Sequence, residues 1–139
     1  MKLTPADARE RFAASPVARL ATADADGVPH LVPVTFTVSG DMLYFAIDHK
    51  PKSTMNLRRL RNIRENPRVA LLVDCYDADW SALWWTRADG RAEIWDTGND
   101  RLSAIESLRH KYEQYQDCPP EGPVVAIRVD EWSGWAFTG

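Results

Sequence analysis

The sequence predicts an α+β fold that is mainly β: a barrel of six mostly antiparallel strands with helices between or beside them, in a single domain spanning residues 1–139. Three observations predict it. Turn-forming stretches at Asp24–Gly27 and Ser39–Asp41 close two hairpins within about thirty residues, the signature of an antiparallel meander. Further strand-length apolar runs return after helical stretches without the regular strand–helix alternation of a doubly wound sheet. A chain of 139 residues, 45% hydrophobic and 27% charged, is long enough to bury one core without crosslinks.

In order, Thr4-Pro5-Ala6-Asp7 reads as a helix start, with Thr4 as cap and Pro5 at the first helical position, and Pro16 stops that helix near Ser15. Residues 18–23 are small and apolar and predict a buried strand. The Asp24–Gly27 turn, in which Gly27 supplies a positive φ, leads into one long strand over 30–38. Pro33 lies inside it and cannot donate to a ladder, so its amide position faces an edge, a bulge or a ligand. A third strand follows over 42–47.

Pro51 ends that ladder, and Ser53 or Thr54 can cap a helix whose apolar face is Leu57, Leu60 and Ile63, ending at Asn66-Pro67. The consecutive apolar residues 69–73 predict a strand over 68–75 buried on both faces. An acidic, aromatic loop over 76–81 precedes a strand over 82–95, interrupted by a turn or bulge at Asp89-Gly90. A helix capped by Asn99 is expected to carry the stripe Leu102, Ile105, Leu108, Tyr112 and Tyr115. The Pro-rich loop after it leads to a last strand over 124–132, which the tail 133–137 can continue.

Charge is unevenly distributed. From Ile47 to Arg68 seven basic residues face two acidic ones, a local balance of +5 in a chain of −3, so the remainder sums to −8. The junction at Lys50-Pro51-Lys52-Ser53-Thr54 has the parts of a phosphate site: a helix N-terminus with unpaired amides, two lysines and two hydroxyls. Arginines on the helix that follows can make paired bonds to carboxylate or phosphate oxygens, although a solvated basic helix would have the same composition. The acidic remainder and a pI near 5.6 argue against nucleic acid as the partner.

His30, His49 and His110 lack metal-ligand spacing, no serine sits in a GxSxG elbow, and Asp74, Asp77 and Asp79 lack the glycine and closing glutamate of an EF-hand loop. Cys75 and Cys118 match no metal or redox spacing and are expected as free thiols. No run approaches the roughly 18 apolar residues of a membrane span, and charges interrupt the N-terminus early, so a cytoplasmic protein is expected. Trp84 and Trp85 direct one indole to each side of their strand, one toward the core and one toward a neighbour or planar ligand.

The segments Ala18-Arg19-Leu20-Ala21-Thr22 with the following DG turn, Pro29 to Val34, Leu43-Tyr44-Phe45, Lys50-Pro51-Lys52 and Asn62 through Leu71 resemble the flavin/deazaflavin split-barrel family, the pyridoxamine-phosphate-oxidase-like superfamily. The run from His49 to Trp85 most resembles a branch of coenzyme F420-dependent oxidoreductases. The resemblance implies a six-stranded antiparallel split β-barrel that forms a homodimer, with the cofactor in a groove at the subunit interface. It also implies that Lys50, Lys52, Ser53 and Thr54 hold the phosphate, with Arg61 and Asn62 nearby and Pro33, Val34 and Thr35 along the ring. Either lysine could occupy the phosphate position. Trp84 and Trp85 would reach the partner's cofactor.

The expected activity is hydride transfer between the deazaflavin C5 and a small planar substrate, with no catalytic side chain compelled. An FMN-dependent flavoprotein of the same scaffold, or a protein that binds a flavin or tetrapyrrole without turnover, are the alternatives.

Overall fold

The computed structural model describes residues 1–47 and 57–138. Over these, α1 (Pro5–Ala13) is followed by β1 (Ala18–Ala23), β2 (Pro29–Val34), β3 (Thr37–Ser39), β4 (Met42–Ala46), α2 (Arg58–Glu65), β5 (Arg68–Cys75), β6 (Trp84–Trp95), α3 (Asn99–Lys111), α4 (Gln114–Asp117) and β7 (Val124–Ala136). The strands form one sheet in the order β2-β1-β5-β6-β7-β4-β3, every described pairing antiparallel. The expected antiparallel, mainly β architecture is therefore present.

There are seven described strands rather than six because the run expected over 30–38 breaks at Thr35 and Phe36. Phe36 turns its ring wholly into the core, 5.0 Å edge-on from Phe12. Its amide donates to the Tyr112 hydroxyl, a side chain, instead of to a neighbouring strand. The tail does continue β7, to Ala136, and Asp89-Gly90 is a bulge: Asp89 pairs with Glu131 but Gly90 with Val129, leaving Asp130 as the extra residue.

Three further expectations are corrected. The residues 69–73 are not buried on both faces: Val69, Leu71 and Val73 point inward, while Leu72 is 37% exposed because no described helix packs on the outer side of β5. The doubly buried strand is β7, whose Val124 to Ile127 are all at or below 1% exposure, with the main core on one side and α3 on the other. The helix carrying Leu60 and Ile63 begins at Arg58, later than Ser53 or Thr54 would cap it, because Leu57 is extended (ψ 141°) and its carbonyl accepts the first helical bonds from Leu60 and Arg61. Ser53 and Thr54 themselves lie outside the described residues.

The third difference concerns α3. Gly98, at φ 104°, precedes it, so Asn99 is its first residue and not its cap. The helix ends at Lys111 and α4 is a separate turn, with Leu102 56% exposed and the buried stripe reduced to Ala104, Ile105 and Leu108. Thr4 caps α1 as expected, accepting from the Asp7 amide at 3.1 Å. Cys75 and Cys118 are free. No described helix is long and apolar enough to cross a membrane.

The main core joins Phe12 of α1 and Leu60 of α2 to the inner faces of the strands, including Leu20, Leu43, Phe45, Leu71 and Ile127. Gly90 permits the bulge, since a Cβ there would lie 2.3 Å from the Arg128 carbonyl oxygen, which is backbone and cannot swing away. Gly90→Ala is expected to lower stability by about 1–3 kcal/mol, the usual cost of overpacking, read as a lower denaturant midpoint.

Candidate functional site

The sequence-derived site residues fall into three groups. Pro33 and Val34 end β2, and Thr35 begins the break after it. The strand β2 is an edge whose one described neighbour is β1, with Pro33 opposite Arg19. Pro29 and Pro33 have no N–H, so neither donates a ladder bond from β2. Pro33 is exposed, Val34 buried and Thr35 half-buried.

The second group is on α2. The helix is fastened by the apolar side Leu60 and Ile63, by the buried Asn62 amide donating to Thr22 Oγ1 at 3.0 Å, and by Glu65 accepting from the Ala25 amide at 3.0 Å. Arg58, Arg61 and Arg64 face solvent; Arg59 is half-buried, and burial lowers its pKa from the ordinary value. Asn62 and Arg61 are thus neighbours in sequence with opposite orientations. The carboxamide is in the core and the guanidinium outside it.

Trp84 and Trp85 open β6 and do point to opposite sides. Trp84 packs against the main core with the Arg11 guanidinium 5.4 Å from its ring centroid, whereas Trp85 lies on the outer face beside Arg87, 5.8 Å away, and opposite Trp135. The register Pro33–Arg19–Leu72–Arg87 crosses β2, β1, β5 and β6, and Trp85 is two residues from Arg87. Pro33 and Trp85 therefore share the uncovered outer face, near the same end of the sheet. Thr22, which holds Asn62, is four residues farther along β1 than Ala18, the partner of Val34. That separates the two ends by about 13 Å at the usual rise of a strand.

Lys50 and Lys52, like Ser53 and Thr54, lie outside the described residues. The outer face also holds an open groove of about 530 Å³ at the bulge, lined in part by Ala21, Pro29, Arg68, Ala70, Asp89 and Glu131. Among the described residues no group of three or more His, Cys, Asp or Glu side chains could hold a metal ion.

Reading the sequence missed the hydroxyl groups that hold the break after β2. Tyr112 and Tyr115 were expected only as apolar stripe, yet Tyr112 Oη accepts from the Phe36 amide at 3.0 Å and Tyr115 Oη is 2.9 Å from Thr35 Oγ1. The available signal was tyrosine in place of leucine at the end of the stripe, because a buried phenol needs a polar partner. Beside them Lys111 Nζ sits 3.6 Å from the Phe36 ring centroid and donates to the Ser15 carbonyl at 2.7 Å.

The model of the family described as pyridoxamine 5'-phosphate oxidase matches residues 4–136. The chain belongs to this family. Solved structures similar to this pyridoxamine 5'-phosphate oxidase family member include a FAD-binding protein from Mesorhizobium loti, at 22% identity and a TM-score of 0.76, covering 96% of this chain and 95% of the other. A conserved hypothetical protein from Mycobacterium tuberculosis is 20% identical with a TM-score of 0.75, covering 97% and 86%. The heme storage protein from Vibrio cholerae is 15% identical with a TM-score of 0.71, covering 96% and 95%. At these identities the likeness establishes the fold, the split barrel, and not the ligand. No curated protein matches the family member in sequence.

Burial lowers the Lys111 ammonium from 10.5 to about 8 and raises the Tyr112 phenol, the latter opposed by the Phe36 amide. Between these two Lys111 values the unfolded chain binds the proton that the folded chain has released, so stability rises with pH across that window. Lys111→Met is expected to flatten this rise between pH 8 and 10.5 in denaturant titrations.

Proposed function

We propose that this family member is an oxidoreductase using the deazaflavin coenzyme F420, with FMN as the rival cofactor. The observation that carries the reading is the basic side of α2. Leu60, Ile63 and the Asn62–Thr22 bond fasten the helix, so Arg58, Arg61 and Arg64 project from a fixed element in a chain of net charge −3. A local basic field on an acidic protein suits one compact polyanion. The deazaflavin coenzyme carries a phosphodiester and a tail of glutamates, and guanidinium groups pair well with both kinds of oxygen. FMN has the shorter charged chain.

The described residues fit a long molecule with a planar ring at one end and charge along the other. Pro33 and Thr35 offer an apolar surface and a hydroxyl for the ring, and the arginines of α2 offer cations for the tail. Lys50, Lys52, Ser53 and Thr54 are assigned to the phosphate and Arg61 to the tail. Asn62 would act by holding α2, and Val34 and Trp84 by packing beneath the ring segment. When bound, the cofactor would supply hydride transfer between its C5 and a small planar reducible substrate, while the protein orients it and keeps water away. Two free thiols accord with a cytoplasmic location.

A second copy of the chain completes this reading. The outer face exposes Leu31 (68%), Leu72 (37%) and Pro33. Next to the row containing Arg19 and Arg87 runs one containing Asp89 and Glu131, so two copies related by a two-fold axis can oppose unlike charges. Trp85 of one copy would then lie near the ring held by the other. Leu31→Asp is expected to convert a dimer to a monomer in sedimentation velocity; a wild-type protein that sediments at 15.7 kDa would remove the interface from the proposal.

Similarity to a heme storage protein supports a second reading, a split barrel that binds a flavin or tetrapyrrole without turnover. Titration with F420, FMN and heme, followed by an assay for hydride exchange, separates the readings. Tight FMN binding with no deazaflavin binding would sink the preferred one, and binding without hydride transfer to any acceptor favours the second. Alanine at both Lys50 and Lys52 is expected to weaken cofactor binding at least tenfold, about 1.4 kcal/mol, with the unfolding midpoint unchanged; unaltered affinity refutes the phosphate assignment.

A further inference from the structure

The break between β2 and β3 is held residue by residue from one place. Thr35 Oγ1 is 2.9 Å from Tyr115 Oη, and Thr37 Oγ1 is 2.9 Å from Ser107 Oγ. Between them, Tyr112 Oη accepts from the Phe36 amide at 3.0 Å and lies within donating distance of the Phe36 carbonyl (3.0 Å) and the Pro16 carbonyl (2.8 Å). Lys111 closes the set, its ammonium over the Phe36 ring and bonded to the Ser15 carbonyl. The four side chains come from α3 (Ser107, Lys111), the short connection after it (Tyr112) and α4 (Tyr115), some seventy to eighty residues away in sequence.

Two of these contacts are accounted for by backbone satisfaction. Phe36 has left the ladder, and the Tyr112 hydroxyl takes the place of a strand partner. The Tyr115 contact, like that of Ser107 with Thr37, satisfies no backbone group. It bonds the side chain of Thr35, which is half-buried and two residues from the exposed Pro33. A threonine hydroxyl has one proton and two acceptor sites and rotates to suit its surroundings. The phenol, far more acidic than an aliphatic alcohol, is the better donor of the two. With Tyr115 donating, Thr35 Oγ1 is the acceptor and its own proton points away from Tyr115.

We propose that Tyr115 is a positioning residue for the cofactor ring: it fixes the Thr35 hydroxyl as a donor aimed at a carbonyl oxygen on the polar edge of a flavin-type or deazaflavin-type ring. The proposal rests on the assignment of Pro33, Val34 and Thr35 to the ring and adds how that segment is given a defined hydrogen-bonding sense. Freed from Tyr115, the Thr35 hydroxyl would be able to rotate and to accept as well as donate. The ring would lose orientation before the fold lost stability, since the Tyr112, Ser107 and Lys111 contacts on the same segment would remain.

The test compares Tyr115→Phe, Thr35→Val and the double variant by cofactor fluorescence titration, by the absorption spectrum of bound F420 and FMN, and by thermal unfolding without cofactor. Tyr115→Phe is expected to weaken binding about tenfold and to shift the bound absorption band. Its melting temperature should stay within a few degrees of wild type, and Thr35→Val should reproduce both changes. The double variant should bind no worse than the weaker single one, because both remove the same bond. Wild-type affinity and spectrum in Tyr115→Phe, with only the melting temperature lowered, would overturn the proposal and leave Tyr115 a structural residue. So would additive losses in the double variant. If Thr35→Val impairs binding and Tyr115→Phe does not, the ring assignment stands and the Tyr115 role falls; if wild type binds neither cofactor, both fall together.

Discussion

The rest of the molecule hangs on the antiparallel ladder between β6 and β7, which pairs Trp84 with Ala136 at one end and Trp95 with Val124 at the other. On one side β6 carries β5, then β1 and β2; on the other β7 carries β4 and β3. The N-terminal residues join the same ladder, with the Leu3 amide donating to the Gly134 carbonyl at 2.9 Å, and α1 packs across both strands. Closing so long a pairing between segments separated by a helix and a loop costs chain entropy. The compensation is visible at β7, where four consecutive residues are buried and make the strand a boundary shared by two hydrophobic clusters. The bulge at Asp89/Gly90 bends this spine, and only a residue without a Cβ allows the Arg128 carbonyl to come so near.

Local chemistry was legible in the sequence at several strand ends, though not at Gly98, whose positive φ displaces Asn99 from the cap of α3. The ends of β1 and β5 follow from the turn at Asp24–Gly27, where Asp24 Oδ1 accepts from the Asp26 and Val28 amides at 2.9 Å, and from Pro67 ahead of β5. The long strand over 30–38 failed for a non-local reason: the partner of the Phe36 amide is a tyrosine seventy-six residues on. Burial of β5 on both faces failed because five apolar residues in a row fit a two-sided core strand as well as a strand with one uncovered face. Periodicity cannot tell them apart.

The site divides in the same way. Pro33 on an edge and two indoles on opposite sides of β6 are consequences of strand geometry, readable from composition and period. Asn62 and Arg61 could not be separated by residue type, since both are polar and adjacent. The helix turns one toward Thr22 and the other to solvent, and the difference appears only when α2 is docked on β1. Tyr115 escaped for the opposite reason: as an aromatic at the end of an apolar stripe it looked like core, and only the position of Thr35 gives its hydroxyl a task.

The two prolines of β2 carry a last consequence. Both stand on the outermost described strand, in the same register as Leu31, so that margin of the sheet is short of two of the donors that would template another chain. The neighbouring outer face, with Leu31 and Leu72 uncovered, has no such protection. Such a margin disfavours open-ended, strand-by-strand growth into fibres.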